Sequence, residues 1–272
     1  MKINEVFTRN LFKGKTVAVT GGGSGINLGI AHSFATLGAN LAICGRTHAK
    51  LDAAAQELAG YGGAVFAQAA DVRELDALQA FFDASAAELG PCDVVVAGAA
   101  GNFLCAIDKM SSNAFRTVVD IDLVGSFHTA KAAREQLTKT SGTLLLISAA
   151  QAFMPFEFQA HAGAAKAGVD QLMRQLAIEW GPDGIRVNCI VPGPIEGTQG
   201  MSRLLKSSLK DALLDTIPLG RAGKSEDIGA VAAFLASPLA GYITGTSLIA
   251  DGGQYLNGTG VLNAATRAVI AN

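Results

Sequence analysis

The sequence predicts a single α/β domain built on a doubly wound, seven-stranded parallel sheet with helices on both faces. Three observations carry this. Short apolar runs alternate along the chain with longer amphipathic stretches, the rhythm of βαβ units joined by right-handed crossovers. The short runs are apolar almost throughout rather than alternating, as strands covered on both faces must be. Half of the 272 residues are apolar, enough for a large buried core. No internal repeat, low-complexity segment or linker divides the chain, so residues 1–272 read as one domain.

The elements follow in order. KTVAVTG (15–21) is the first strand and runs directly into a glycine-rich turn that opens a helix. NLAICG (40–45), AVFAQAADV (64–72), CDVVVAGAA (92–100) and GTLLLISA (142–149) are the next four strands, with amphipathic stretches between them. The clearest helix covers 164–180, where Ala165, Val169, Leu172, Met173, Leu176, Ala177 and Trp180 fall on one face. IRVNCIVPG (185–193) and GTSLIADGG (245–253) complete the sheet. Residues 195–224 interrupt the rhythm beyond the C-terminal end of a strand and carry several basic residues, which is where a lid over a ligand belongs. The uncharged run from Ile228 to Ala250 contains Pro238, Gly241 and Gly245, and therefore reads as helix, turn and buried strand rather than a membrane span.

Composition excludes several functions. Lys plus Arg number 21 against 23 Asp plus Glu, with no block of like charge, so nucleic acid is not an expected partner. Cys44, Cys92, Cys105 and Cys189 are scattered and read as reduced thiols of a cytoplasmic protein. MKINEVFTRNLFKGK has no apolar core of the signal-peptide kind, and the tail VIAN matches no peroxisomal signal. His32, His48 and His128 lack ligand spacing, so no metal is expected.

TGGGSGINLG (20–29) places glycines where a backbone must approach a pyrophosphate, with the amides of a helix N-terminus beyond them. Its position after the first strand of a βαβ unit points to a dinucleotide. The end of the second strand selects which one. An acid there would hold the ribose 2′-hydroxyl, but ICGRTHAK has no acid, and Arg46 is suited to a 2′-phosphate. The expected cofactor is NADP(H).

These segments, taken in order with Asp71-Val72 and VPGPIEGT (191–198), resemble the short-chain dehydrogenase/reductase family, a Rossmann fold, over roughly residues 10–255. In the family's TGxxxGxG motif the last glycine is here Asn27, a residue that tolerates unusual backbone angles. The resemblance assigns Gly21, Gly23, Ser24, Gly25, Ile26 and Asn27 to the pyrophosphate turn and Asp71 and Val72 to the adenine. It adds Ala99 to the cofactor contacts, Lys166 to the ribose, and Pro192, Gly193, Ile195 and Thr198 to the nicotinamide wall.

The family's catalytic set is Ser, Tyr and Lys assisted by Asn. Here only Lys166 remains: the tyrosine place is Ala162, the serine place Ala149 with Ser148 beside it, and the asparagine place Asp122. Ordinary ketone chemistry has lost its proton donor. AAGNFLC (99–105), NAFRTVVDID (113–122), HAGAAKAGVDQLMRQLAIEWGPDGIRVN (161–188) and PGPIEGTQG (192–200) together resemble the 2,4-dienoyl-CoA reductase branch, the peroxisomal type above all. That resemblance implies NADPH-dependent reduction of an unsaturated acyl-CoA in auxiliary fatty-acid β-oxidation. Asp122 and Lys166 are the implied catalytic pair, with a water between them as proton source. Arg73 and Arg203 match CoA-contacting positions, and Phe103, Ser111 and Asn113 match positions near the thioester and pantetheine. His161 is one residue off the vacated tyrosine position, about 100° away on a helix, and is expected to pack or hydrogen-bond rather than act as the acid. A carbonyl (3-oxoacyl) reductase with a relocated acid and a non-catalytic NADP-binding regulator remain as alternatives. The helix at 164–180 and the last strand resemble the pieces through which the family forms homotetramers.

Overall fold

A computed structural model of the chain describes residues 3, 7, 8, 10–198 and 213–258. The seven expected strands are all present: β1 Thr16–Thr20, β2 Asn40–Gly45, β3 Val65–Ala69, β4 Val94–Ala97, β5 Thr143–Ile147, β6 Arg186–Pro192 and β7 Ser247–Ala250. They form one sheet in the order β3-β2-β1-β4-β5-β6-β7, and every pairing is parallel. Among the described residues these helices run between them: α1 Gly25–Thr36, α2 His48–Ala59, α3 Leu75–Leu89, α4 Ser112–Val119, α5 Gly125–Thr140, α6 Ala160–Trp180 and α7 Ser225–Ala236.

Strand side chains alternate between two cores, because successive residues of a strand point to opposite faces. On β1, Val17 and Val19 join a core with Ile30 and Phe34 of α1, Leu51 of α2 and Ile228 of α7. Ala18 faces the other way, toward Phe81 and Phe82 of α3, Leu137 of α5 and Val169 and Met173 of α6. Both sheet faces are thereby dry, which is why the strands read as continuous apolar runs.

The winding reverses at β1, which pairs with β2 on one side and β4 on the other. The loops after β1 and β4 diverge there and leave a crevice at the C-terminal edge, the usual ligand position in such sheets. Six of the seven strands are shorter than the quoted runs, and β3, β4 and β7 lose most, because Asp71, Gly98–Gly101 and Asp251–Gly253 leave the ladder to form loops on that edge. Helix α6 begins at Ala160, ahead of the expected 164; its first turn is alanine and glycine around His161 and carries no large apolar residue to mark it. Residues 228–250 resolve into the rest of α7, a short 3-10 turn at Pro238–Ala240 and β7. Among the described residues no helix is long and apolar enough to cross a membrane. Much of the expected lid, residues 199–212 including Arg203, lies outside the described residues.

Candidate active site

The crevice holds a cavity of about 800 Å³. Gly21, Gly23, Ser24, Ile26 and Asn27 of the first turn line it, with Arg46, Asp71, Val72, Ala99, Lys166, Pro192, Gly193, Ile195 and Thr198. The sequence separates these residues by up to 177 positions; the parallel sheet delivers all of them to one edge. Gly25 opens α1 beside them.

The glycine-rich turn is specified atom by atom. Gly21 has φ +71°, and a Cβ there would lie 2.9 Å from Asn27 Nδ2 and 3.0 Å from Ala99 Cα. Asn27 sits inside α1 with no positive φ, so its place in the motif does not rest on unusual backbone angles. Its side chain acts instead. Nδ2 donates to the Gly98 carbonyl at 2.7 Å and straps the turn to the loop after β4. A Cβ on Gly98 would stand 2.1 Å from Asn27 Oδ1, so that loop must be glycine for the strap to close. Asn27 Oδ1 is buried without a partner. Ser24, the N-cap of α1, makes no side-chain capping bond, which leaves the first amides of the helix to an anion. These features fit a bound dinucleotide.

At the end of β2, Arg46, Thr47 and Lys50 line the cavity and no acid accompanies them. Asp71 is engaged by Arg73, whose Nη2 and Nε donate to the carboxylate at 2.6, 3.0 and 3.1 Å. The Arg73 hydrogen bonds, helped by the charge of Arg46, hold the Asp71 carboxyl below the usual carboxylate range.

Lys166, on α6, reaches the cavity from a buried stem. Its Nζ donates to the Ile147 carbonyl at 2.9 Å and lies 3.1 Å from Asp122 Oδ2. Asp122 is 2% exposed, and its Oδ1 accepts from the Gly101 amide at 2.7 Å. The helical path breaks locally to put it there. Between α4 and α5 the backbone widens into a π turn, Asp120–Val124, and the Asp122 carbonyl accepts from Ser126 Oγ at 2.6 Å. The expected arrangement of carboxylate, water and ammonium is corrected in one respect. The two charged groups touch directly, and Asp122 stands behind Lys166 rather than on the cavity wall. At ordinary ion-pair separation the favourable contact in a buried site is the direct one.

No phenol replaces the missing one. Tyr61 packs on His32, Tyr255 on Phe153, Tyr242 is fully exposed, and none of the three lines the cavity. Ala149 lines the cavity and Ala162 is buried. His161 is completely buried, both ring nitrogens lack partners, and the ring meets Phe103 edge-on at 4.3 Å. Burial pushes its pKa down, against weaker upward pulls from the Gln159 backbone and the Asp122 carboxylate. It lies outside the cavity lining, packed on Phe103.

Of the expected CoA-side residues, Arg73, Phe103, Ser111 and Asn113 do not line this cavity, and Arg203 lies outside the described residues. Arg73 is folded onto Asp71. Phe103 is partly exposed over His161. Ser111 caps α4, its Oγ accepting from the Ala114 amide at 3.1 Å, and lines a separate cavity of about 480 Å³ with Met110, Phe115 and Arg116. Asn113 is exposed on the first turn of α4. Sequence reading missed three amides on the main cavity wall, Asn102, Gln151 and Gln159. They carry no charge, Gln151 and Gln159 fall outside every quoted segment, and Asn102 within AAGNFLC had no role assigned, so only their convergence reveals them.

Residues 21–254 match the enoyl-(acyl carrier protein) reductase family. The peroxisomal 2,4-dienoyl-CoA reductase of Saccharomyces cerevisiae is 44% identical over 254 residues, 92% of this chain and 87% of the relative. The peroxisomal 2,4-dienoyl-CoA reductase of Danio rerio is 39% identical over 258 residues, covering 94% and 86%. Among solved structures, a short-chain dehydrogenase from Bacillus anthracis superposes with a TM-score of 0.81 at 36% identity, over 89% of this chain and 97% of that one. An NADPH-bound short-chain oxidoreductase of Pseudomonas aeruginosa, described as containing an atypical catalytic center, gives 0.83 at 30% identity, over the same 89% and 97%. With this fold, this turn and these relatives, the chain belongs to the short-chain dehydrogenase/reductase family and is an oxidoreductase of it.

Proposed function

We propose that this protein uses NADPH to reduce a 2,4-dienoyl-CoA, or a related unsaturated acyl-CoA, to an enoyl-CoA in auxiliary fatty-acid β-oxidation. The observation that carries this reading is the buried Asp122–Lys166 pair at a cavity that has no phenol, with alanine at the tyrosine and serine places. A ketone needs a proton delivered to its oxygen as hydride arrives. A dienoyl thioester does not, because its final proton goes to carbon.

The nicotinamide, when bound, supplies hydride. Arg46 pairs with the 2′-phosphate, and Asp71, Val72 and Ala99 bound the adenosine half. Pro192, Gly193, Ile195 and Thr198 form the nicotinamide wall. Lys166 holds the ribose through the N–H that Ile147 and Asp122 leave over. Asp122 fixes the charge and direction of that ammonium, and the pair orients a solvent molecule on the cavity side of Nζ as proton source. The yeast and zebrafish relatives are named as (3E)-enoyl-CoA-producing, an outcome that needs the proton on the α-carbon. We assign the same regiochemistry here.

Arg46, Arg73 and Arg203 are the proposed phosphate anchors of CoA, and Phe103, Ser111 and Asn113 the proposed neighbours of its thioester and pantetheine. A homotetramer through α6 and β7 is proposed on family likeness. The four free cysteines suit a reducing compartment, for which we propose the cytoplasm. The peroxisomal names of the relatives make fractionation of tagged full-length protein the deciding measurement.

NADPH oxidation with 2,4-hexadienoyl-CoA and 2,4-decadienoyl-CoA, run beside a panel of ketones and 3-oxoacyl esters, tests the function. Turnover of the dienoyl esters alone is expected. Turnover of ketones instead would establish the carbonyl-reductase reading, and NADPH binding without any turnover the regulatory one.

A further inference from the structure

We propose that Gln159 is a catalytic residue: its side-chain N–H holds the thioester oxygen of the substrate, while Asn102 and Gln151 act as positioning residues. This rests on the dienoyl-CoA reading above. Hydride addition to the far alkene carbon drives an electron pair through the conjugated system onto the thioester oxygen. The charge stays there until a solvent-derived proton reaches the α-carbon and restores the carbonyl. Relatives with a phenol and a serine hydroxyl have two donors for that oxygen. Here Ala162 and Ala149 stand in their places, and Lys166 Nζ is already committed to Ile147 and Asp122.

The amides answer this need by their geometry. Gln159 is the N-cap of α6, a position that favours Asn, Asp, Ser or Thr, and its side chain makes no capping bond. Its Oε1 instead accepts two hydrogen bonds, from Asn102 Nδ2 at 2.7 Å and Gln151 Nε2 at 3.0 Å. With the oxygen accepting twice in this arrangement, Nε2 is the free end of the amide. It has no hydrogen-bond partner among the described residues. Gln159 is 5% exposed and lines the same cavity as Lys166, Ala149 and the nicotinamide-wall residues. The three amides come from the loop after β4, the loop after β5 and the start of α6, so the network ties together the segments around the reacting centre. A donor fixed in advance costs no reorganisation when charge develops. The N-terminal end of the 21-residue helix α6 adds positive potential at the same point.

The test uses the full-length enzyme and 2,4-hexadienoyl-CoA. Gln159→Met keeps the bulk and removes the donor. Its kcat is expected to fall about 100-fold or more, the range for loss of one oxyanion donor, with NADPH affinity unchanged and KM nearly so. Gln159→Glu places a carboxylate at the oxygen. Its activity is expected to be lost at pH 8 and to recover as pH falls and the carboxyl protonates, a limb that wild type lacks and that a structural role would not create. Ser148→Ala is the control, because Ser148 Oγ is buried without a partner on the same wall. A Gln159→Met enzyme within about 3-fold of wild type in kcat overturns the proposal, and so does a loss produced by Ser148→Ala instead. If Gln159→Met fails to bind NADPH, the Gln159→Glu profile decides, and a profile parallel to wild type overturns it. A wild-type enzyme inactive on the ester removes the functional reading and this inference together; an active wild type with an unaffected Gln159→Met removes the inference alone.

Discussion

Replacing Asp122 separates its structural role from its chemical one. In Asp122→Ala the Lys166 ammonium loses its counter-charge, and the Gly101 amide loses the oxygen that accepts it at 2.7 Å. Removing one partner of a buried ion pair costs about 3–5 kcal/mol. Leaving a buried N–H unsatisfied adds about 1–3 kcal/mol. Asp122→Asn retains an oxygen for Gly101 and removes only the charge, so it is expected to be the more stable variant by about 1–3 kcal/mol. At roughly 2–4 °C per kcal/mol for a domain near this size, that difference is about 2–12 °C in melting temperature. Activity is expected to follow another rule. Both variants lose the carboxylate that aims Lys166 and the proton source, so both should fall at least about 100-fold in kcat on a dienoyl-CoA ester, while NADPH still binds. The assays are thermal melts with and without NADPH, and NADPH oxidation under saturating substrate. Near-normal turnover in Asp122→Asn would refute the reasoning, because geometry without charge would then suffice. Equal stability of the two variants would show that the Gly101 contact carries no energy.

Three further outcomes are expected. Arg46→Ala should raise the dissociation constant for NADPH far more than that for NADH, measured by fluorescence titration; equal effects would remove the 2′-phosphate contact. Gly98→Ala sets a Cβ against Asn27 Oδ1 and opens the strap across the turn. We expect at least about a 10-fold loss of NADPH affinity, about 1.4 kcal/mol, with the melting temperature of the ligand-free protein moving less than the ligand-induced shift. His161 has its pKa depressed by burial, so the unfolded chain takes up the proton first as pH falls. Stability should therefore be full above its ordinary value near 6.5 and decline below it, and His161→Gln should flatten that decline in urea melts between pH 5 and 7.5.

The fold was legible in the sequence because its signals are local. Val17, Val19, Leu41, Ile43 and Leu144–Leu146 sit in runs that only a strand buried on both faces explains. The glycine turn, the acid-free end of β2 and the lone Lys166 are likewise short patterns tied to backbone geometry or to one charge. The role of Asn27 was not legible, because it depends on Gly98, a residue brought to it by the pairing of β1 with β4. The CoA-side residues were identified by likeness, and likeness does not say that Arg73 lies on Asp71 or that Ser111 faces a different cavity.

By itself, then, the order of residues determined a parallel sheet with its turn and a lysine without its phenol, since hydrophobic period, glycine placement and residue identity are properties of neighbours in the chain. Tertiary structure alone decided that Asp122 touches Lys166 without an intervening molecule, that His161 is sealed under Phe103, and that Asn102, Gln151 and Gln159 meet. All of these contacts except the one between Gln151 and Gln159 join loops or helix ends from different crossovers. Their distances are set by how helices seat on the sheet, and no short stretch of sequence encodes them.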